Sequence, residues 1–318
     1  MKLKLDPAVH WDFKPHDFVP FKDRKVCARV AKISGKDLEK HPNPDFKIKV
    51  LLNPHPVLIS RLFTLIKESD EQNKRCVLIL GNPEPDTYLP LAELINYHGV
   101  NCRNVHVFAM DEWADQDGKI APINYEASLA RSMLKYLYAP IEEKNRMPLE
   151  NMHYPTDENI GHYSKLIVET GEGGADFCSS SPGWSGHMAF IDPVDDFIKP
   201  TMEEYLKQEA AVVNLHPLTI AQNSLHGIFG TSGNIANVPP KAATIGPADV
   251  YNARERMEVH ALQTYGTYSS WQRMVSRLIL HGPVTPLVPS SMLQLMKTQV
   301  YVSLPLAEPF SADELAGY

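Results

Sequence analysis

The sequence predicts an α/β protein, Rossmann-like: a mostly parallel, doubly wound sheet with helices on both faces. Two short runs, the apolar Cys76–Leu80 and Val105–Ala109, apolar apart from His106, have the length and composition of buried parallel strands. The segments between such runs place apolar residues three and four apart, as on one face of a helix. A turn rich in Gly, Asn and Pro follows the first run and the acidic pair Asp111-Glu112 closely follows the second, at the strand ends where sheets of this kind bind ligands.

Taken in order, Pro56 can open a helix whose Leu58, Leu62, Leu65 and Ile66 share a face, and Cys76–Leu80 follows as a strand. Tyr88, Leu91, Leu94 and Ile95 mark the next helix, and the second strand runs into Met110-Asp111-Glu112. Tyr125, Leu129, Met133 and Leu137, at steps of four, predict one helix, and Tyr163, Leu166 and Ile167 another. Further strands are expected at 175–179, 210–215, 257–263 and 299–304, with a helix carrying Trp271, Met274, Val275 and Leu278. Residues 1–45 are rich in charge and proline and poor in periodicity, so an irregular arm is expected before a single domain over 46–318.

The formal charge of −7 and pI near 6.0 give no general basic surface, which argues against a nucleic-acid partner. Cys27, Cys76, Cys102 and Cys178 are far apart and form no C-x-x-C pair, so neither disulfides nor a metal site is expected. The first residues lack an apolar signal core, and no stretch approaches the roughly 20 apolar residues of a membrane span. A soluble cytoplasmic protein is the expectation, with no membrane partner and a homo-oligomeric assembly.

Asp111 and Glu112 directly follow an apolar strand, where paired carboxylates gain nothing from packing and repel one another if buried together. One carboxylate can serve as a general base toward carbon next to a carbonyl; alternatively, one caps the following helix and the other is solvated. His187 follows Pro182-Gly183-Trp184-Ser185-Gly186, with Asp192 five positions on. In a short turn Asp192 can orient or charge the ring, although a hydrogen-bonded structural histidine remains the alternative. The loop Gly81-Asn82-Pro83-Glu84-Pro85 sits where many α/β proteins bind phosphate, but two prolines remove amide donors and Glu84 brings a negative charge. Trp113 and Trp184 either stack on a sugar or fill core space, and the hydroxyls of Ser179–Ser181 either meet a polar ligand or pair with backbone. Dinucleotide, nucleoside-triphosphate, serine-hydrolase and zinc-protease motifs are absent from their expected contexts.

In this order, LGNPEP, FAMDEW, GADFCSSSPGWSGHMAFIDP, VPPKAATIG and SSMLQL resemble the motifs of the glucosamine-6-phosphate deaminase/isomerase family, whose relatives include 6-phosphogluconolactonases. The likeness runs from about Ile48 to Pro305. It implies a sugar-isomerase type of α/β fold, Asp111 as the proton-abstracting group with Glu112 beside it, and His187 as the ring-opening histidine. The family supports that histidine with an aspartate and a glutamate; here those places hold Ser185 and Asp192. Its phosphate loop falls on Asn82–Pro85, its phosphate-binding arginine near Ile220 and its later lysine near Ser269, so three anion contacts are replaced. A sugar or sugar phosphate is the implied ligand, with Gly81, Asn82, Glu84, Glu112, Ser185 and Gly186 as binding residues and neither metal nor organic cofactor. The expected activity is aldose–ketose isomerisation with loss of ammonia from an amino sugar, which the replaced anion contacts point to as unphosphorylated. The alternatives are a sugar lactonase and a sugar-binding protein without catalysis.

Overall fold

The computed structural model describes residues 12–264 and 267–310. The expectations for residues 1–11 and 311–318 lie outside the described residues. The strands are β1 (Phe46–Leu51), β2 (Cys76–Leu80), β3 (Val105–Ala109), β4 (Asp111–Ala114), β5 (Met152–His153), β6 (Phe177–Ser180), β7 (Ala211–Asn214), β8 (Lys241–Thr244), β9 (Glu255–His260), β10 (Gln263–Thr264), β11 (Thr267–Tyr268) and β12 (Thr298–Ser303). The α-helices are α1 (Arg24–Ala31), α2 (His55–Gln72), α3 (Pro85–His98), α4 (Leu129–Met133), α5 (Tyr163–Thr170), α6 (Met202–Leu206), α7 (Pro217–Leu225), α8 (Pro247–Asn252), α9 (Gln272–His281) and α10 (Leu304–Ala307).

Seven strands form one parallel sheet in the order β1-β12-β9-β6-β2-β3-β5. The chain winds outward from β2 through β3 to β5, then returns to β6 on the other side of β2. The order therefore reverses between β2 and β6, and the crevice at their carboxyl ends is where such sheets take ligands. Alternation along β2 shows the double covering. Val77 and Ile79 pack with Tyr163 of α5 and with Leu278–Leu280 of α9, while Cys76, Leu78 and Leu80 pack with α2 and α3.

A second sheet, β4-β8-β7, is antiparallel and stands beside the first. Two expectations change here. The segment 210–215 is a strand, as β7, but belongs to this sheet rather than the parallel one. Asp111 and Glu112 do not trail off a strand end; they begin β4, one residue after β3. The helix expected through Tyr125 starts only at Leu129, after Ser128 caps it, and gives way to a π-helical turn at Leu134–Tyr138.

The amino-terminal segment is also more regular than its composition suggests. Asp23 accepts hydrogen bonds from the Lys25 and Val26 amides and caps α1, and Val30 and Leu38 are buried in the core. Arg277 of α9 helps hold this segment. Its guanidinium, wholly buried, donates to the carbonyls of Ile33, Arg273, Leu306 and Glu308 at 2.7, 2.8, 3.2 and 2.9 Å, and burial lowers its pKa to about 10.

Candidate active site

The crevice between β2 and β6 opens into a cleft of about 1190 Å³ of non-atom space, its mouth included. The loop after β2 and the first turn of α3 form one wall, Ser179–Gly183 and His187 another, and α7 and α9 supply Gln222, Asn223 and Gln272. Asp111 lies at its edge, where the chain passes from β3 into β4.

Because successive residues of a strand point to opposite faces, Asp111 and Glu112 serve different neighbourhoods. Asp111 lines the cleft, is 5% exposed, and its Oδ1 has no hydrogen-bond partner. Burial, with the charge of Glu112 adding to it, pushes its carboxyl well above the ordinary carboxylate range. Glu112 points the other way and does not line the cleft. Its carboxylate accepts from the Trp113, Leu129 and Ala130 amides at 2.9, 3.0 and 2.9 Å and from Ser128 Oγ at 2.6 Å. Burial raises its pKa and these bonds oppose the rise. Where a ligand contact was expected, Glu112 instead ties β4 to the start of α4.

His187 faces the cleft with its Nδ1 side held from behind. Nδ1 lies 2.9 Å from Asp192 Oδ1, 2.9 Å from Thr219 Oγ1 and 3.0 Å from Ser185 Oγ. Ser185 and Thr219 each direct their hydroxyl proton to the same Asp192 oxygen, at 2.6 and 2.7 Å, so neither has a proton left for the ring. Nδ1–H is therefore the donor to the carboxylate, and a neutral ring keeps its lone pair on Nε2. Asp192 is wholly buried, which raises its pKa, but the charge and hydrogen bond of His187, the Ser185 bond and the His216 amide at 2.9 Å outweigh burial and hold it low. Nε2 sits against the α-carbon of Gly183: a Cβ there would lie 1.9 Å from it, so only glycine fits.

The expected pairing of His187 with Asp192 is thus present, while two expected ligand contacts are placed elsewhere. Ser185 and Gly186 line a separate apolar cavity behind the loop, not the cleft. Gly186, at φ +86°, has Val288 where a side chain would go. Trp184 also borders that rear cavity and stacks on Trp271 at 6.1 Å, and Trp113 is core, against Phe190 and Phe229. Gly81, Asn82 and Glu84 do line the cleft, as do Ser179–Ser181. Sequence reasoning missed Thr87, Gln272, Gln222 and Thr219. Thr87 and Thr219 lie in first turns of helices that follow strands, and that position was the only signal for them.

Among the described residues no lysine or arginine lines the cleft, whereas Glu84, Asp86 and Asp111 do. Ile220, near the family's arginine, packs in the core around Trp113; Ser269, near its lysine, borders the rear cavity. His55 and His226 are held below the usual histidine range, both mainly by burial, His226 to about 4. Neither carries charge at neutral pH. Among the described residues no group of three or more potential ligands is placed to hold a metal, and no helix is long and apolar enough to cross a membrane.

No protein-family model matches the chain. A glucosamine-6-phosphate deaminase of Lachnoclostridium phytofermentans is 28% identical over 224 residues, which are 69% of this chain and 81% of that protein. That of Caenorhabditis elegans is 28% identical over 200 residues, 61% and 67% of the two chains. The match to the Fusobacterium nucleatum enzyme, 26% identical over 181 residues, spans 56% of this chain and 60% of that relative, less than two thirds of its length. Among solved structures, a monomeric glucosamine-6-phosphate deaminase has a TM-score of 0.60 at 19% identity, covering 80% of this chain and 96% of that one. The 6-phosphogluconolactonase of Thermotoga maritima has a TM-score of 0.56 at 15% identity, covering 81% and 98%. These two share the fold. With its five motifs in order and these relatives in sequence, the chain resembles the glucosamine-6-phosphate deaminase/isomerase family as a divergent relative.

Proposed function

We propose that this protein isomerises an amino sugar between aldose and ketose forms with loss of ammonia, using His187 and Asp111. The observation that carries the reading is the buried Asp111 carboxyl, its Oδ1 without a partner, facing the same cleft as an imidazole oriented by Asp192. His187 Nε2 takes the proton of the anomeric hydroxyl and returns it to the ring oxygen as the C1–O5 bond breaks. Asp111, its pKa raised toward the working range, removes the proton from C2 and delivers it to C1. The carbon–nitrogen bond at C2 becomes an imine, and water hydrolyses it to a ketone and ammonia. Proton transfer among these groups needs no metal or organic cofactor.

The finer reading is that the sugar carries no phosphate. It rests on a cleft whose described lining offers carboxylates and no lysine or arginine, since phosphate affinity depends on charge-assisted bonds. The test is turnover on a panel of free and phosphorylated amino sugars by the parent and by Asp111→Asn. Release of ammonia by the parent, reduced about 100-fold or more in the variant, is expected; equal rates would remove Asp111 as the base. The Nε2 lone pair also suits activation of water against a lactone. Lactone hydrolysis that survives Asp111→Asn but is lost in His187→Ala would assign that reaction instead. Binding of a sugar with no turnover of any substrate would leave a sugar-binding protein.

A further inference from the structure

Behind the loop that carries His187 lies the rear cavity, about 1190 Å³ of non-atom space with its mouth included. One side of α9 is turned to it: Trp271, Met274, Val275 and Leu278, spaced as neighbours on a helix face. Trp184, stacked on Trp271, and Tyr268 add to the apolar lining. Among the described lining residues there is no aspartate, glutamate, lysine or arginine, and His226 is kept neutral, mainly by its burial. Such a surface suits the apolar body of a small molecule. One polar group in it is left over: Ser269 is 1% exposed and its Oγ has no hydrogen-bond partner. A buried hydroxyl without a partner is a cost that folding alone does not remove.

The mouth supplies a charge. Tyr268, 56% exposed, lines the cavity, and the Arg273 guanidinium lies over its ring at 5.5 Å rather than on a carboxylate of the described residues. Arg273 Nε is buried without a partner. A turn further along α9 stands the buried Arg277, whose pKa is lowered by burial and then by the charge of Arg273. An anion at Arg273 would offset that repulsion and partner Nε, and a carboxylate can do both with two parallel bonds. We propose that the rear cavity binds an apolar carboxylate, its body against Trp271, Met274 and Leu278 and its charge on Arg273. Ser269 Oγ offers the same ligand a further hydrogen bond. A neutral apolar molecule would leave the cation unmet, and a sugar phosphate would leave the apolar wall unmet. The site stands apart from the cleft, yet Ser185 and Gly186 form part of its wall, so its occupant lies against the loop that supports the imidazole.

The test does not depend on what reacts in the cleft. Binding to the full chain is measured calorimetrically for octanoate, indole-3-acetate and their neutral counterparts 1-octanol and indole-3-ethanol. At least one acid is expected to bind with a Kd below about 1 mM, about tenfold more tightly than its own alcohol. The aliphatic and aromatic arms show which body the tryptophans accept. Arg273→Gln should remove the advantage of acid over alcohol and leave the affinity for the alcohol unchanged. Met274→Trp, which fills the cavity, should weaken both about tenfold or more, with circular dichroism to confirm folding. No binding of either acid up to about 10 mM, equal affinity for acid and alcohol, or an advantage that survives Arg273→Gln would overturn the carboxylate site. Acid binding untouched by a folded Met274→Trp would place the ligand outside this cavity and overturn it too. Should Met274→Trp not fold, the contrast between acid and alcohol in Arg273→Gln decides.

Discussion

On the His187 side of the cleft, Asp192 accepts four hydrogen bonds, from Ser185, Thr219, His187 and the His216 amide. On the opposite side, Asp111 Oδ1, Thr87 Oγ1 and the Asn82 amide are buried with none. The first wall is finished by folding alone: the imidazole is aimed and its tautomer chosen before any ligand arrives. The second is left open at a cost of about 1–3 kcal/mol per group, which a ligand with hydroxyl and amine groups would recover. A site divided in this way keeps its imidazole fixed and lets a ligand complete the rest. It also means that substitutions on the two walls should fail differently.

The largest difference is expected from Gly183→Ala. The new methyl would fall 1.9 Å from His187 Nε2, so the ring must move, and a displacement near 1 Å costs on the order of 100-fold in turnover. Steady-state kinetics on the best substrate of the panel, with circular dichroism to confirm folding, checks this. An unchanged kcat would show that the ring does not rest on that glycine.

The second contrast lies in stability against pH. Asp192 is held low in the folded state, so it stabilises at pH above the ordinary carboxylate value near 4, and that contribution is lost as pH falls through its lowered value. Asp111 is held high, so it opposes folding increasingly as pH rises from the same ordinary value toward its raised one. Denaturant unfolding across pH should show Asp192→Asn losing about 2–3 kcal/mol near neutrality with a flatter acid limb. Asp111→Asn should gain stability over the same neutral range and lose none in acid. If both variants flatten the same limb, the two walls do not differ as described.

The smallest effect separates neighbours in one strand. Glu112→Gln should weaken the hold of β4 on α4 and lower stability by about 1–3 kcal/mol, with turnover little changed. A large loss of kcat without loss of stability would return Glu112 to the reacting centre.

Much of the fold was legible because the parallel sheet advertises itself. Cys76–Leu80 is buried on both faces and apolar throughout, and Val105–Ala109 is buried and apolar except at the half-buried His106. The second sheet was not, since DEWA and KAAT are four-residue strands with no apolar run to mark them. That gap explains the misplacement of Glu112: once Asp111 and Glu112 are known to lie within a strand, alternation separates them. That Asp111 and His187 face one cleft, and that Asp192 pairs with His187, was legible from motif order and spacing. Thr219 and Gln272 were not: the resemblance pointed to their neighbours Ile220 and Ser269, whereas the fold brings Thr219 to His187 and Gln272 to the cleft. Ser185 and Gly186 were expected at the ligand from the resemblance, yet a tight turn sends them behind His187.

Arg277 joins regions at opposite ends of the chain through main-chain carbonyls at Ile33 and at Leu306–Glu308. It acts as a hasp: the early segment and the late one close on a single guanidinium. A protease that nicked either side would take acceptors from a cation that has no route to water. Damage at a margin would then be felt in the interior, so a trimmed copy would be removed as unfolded rather than persist as a slightly shorter protein.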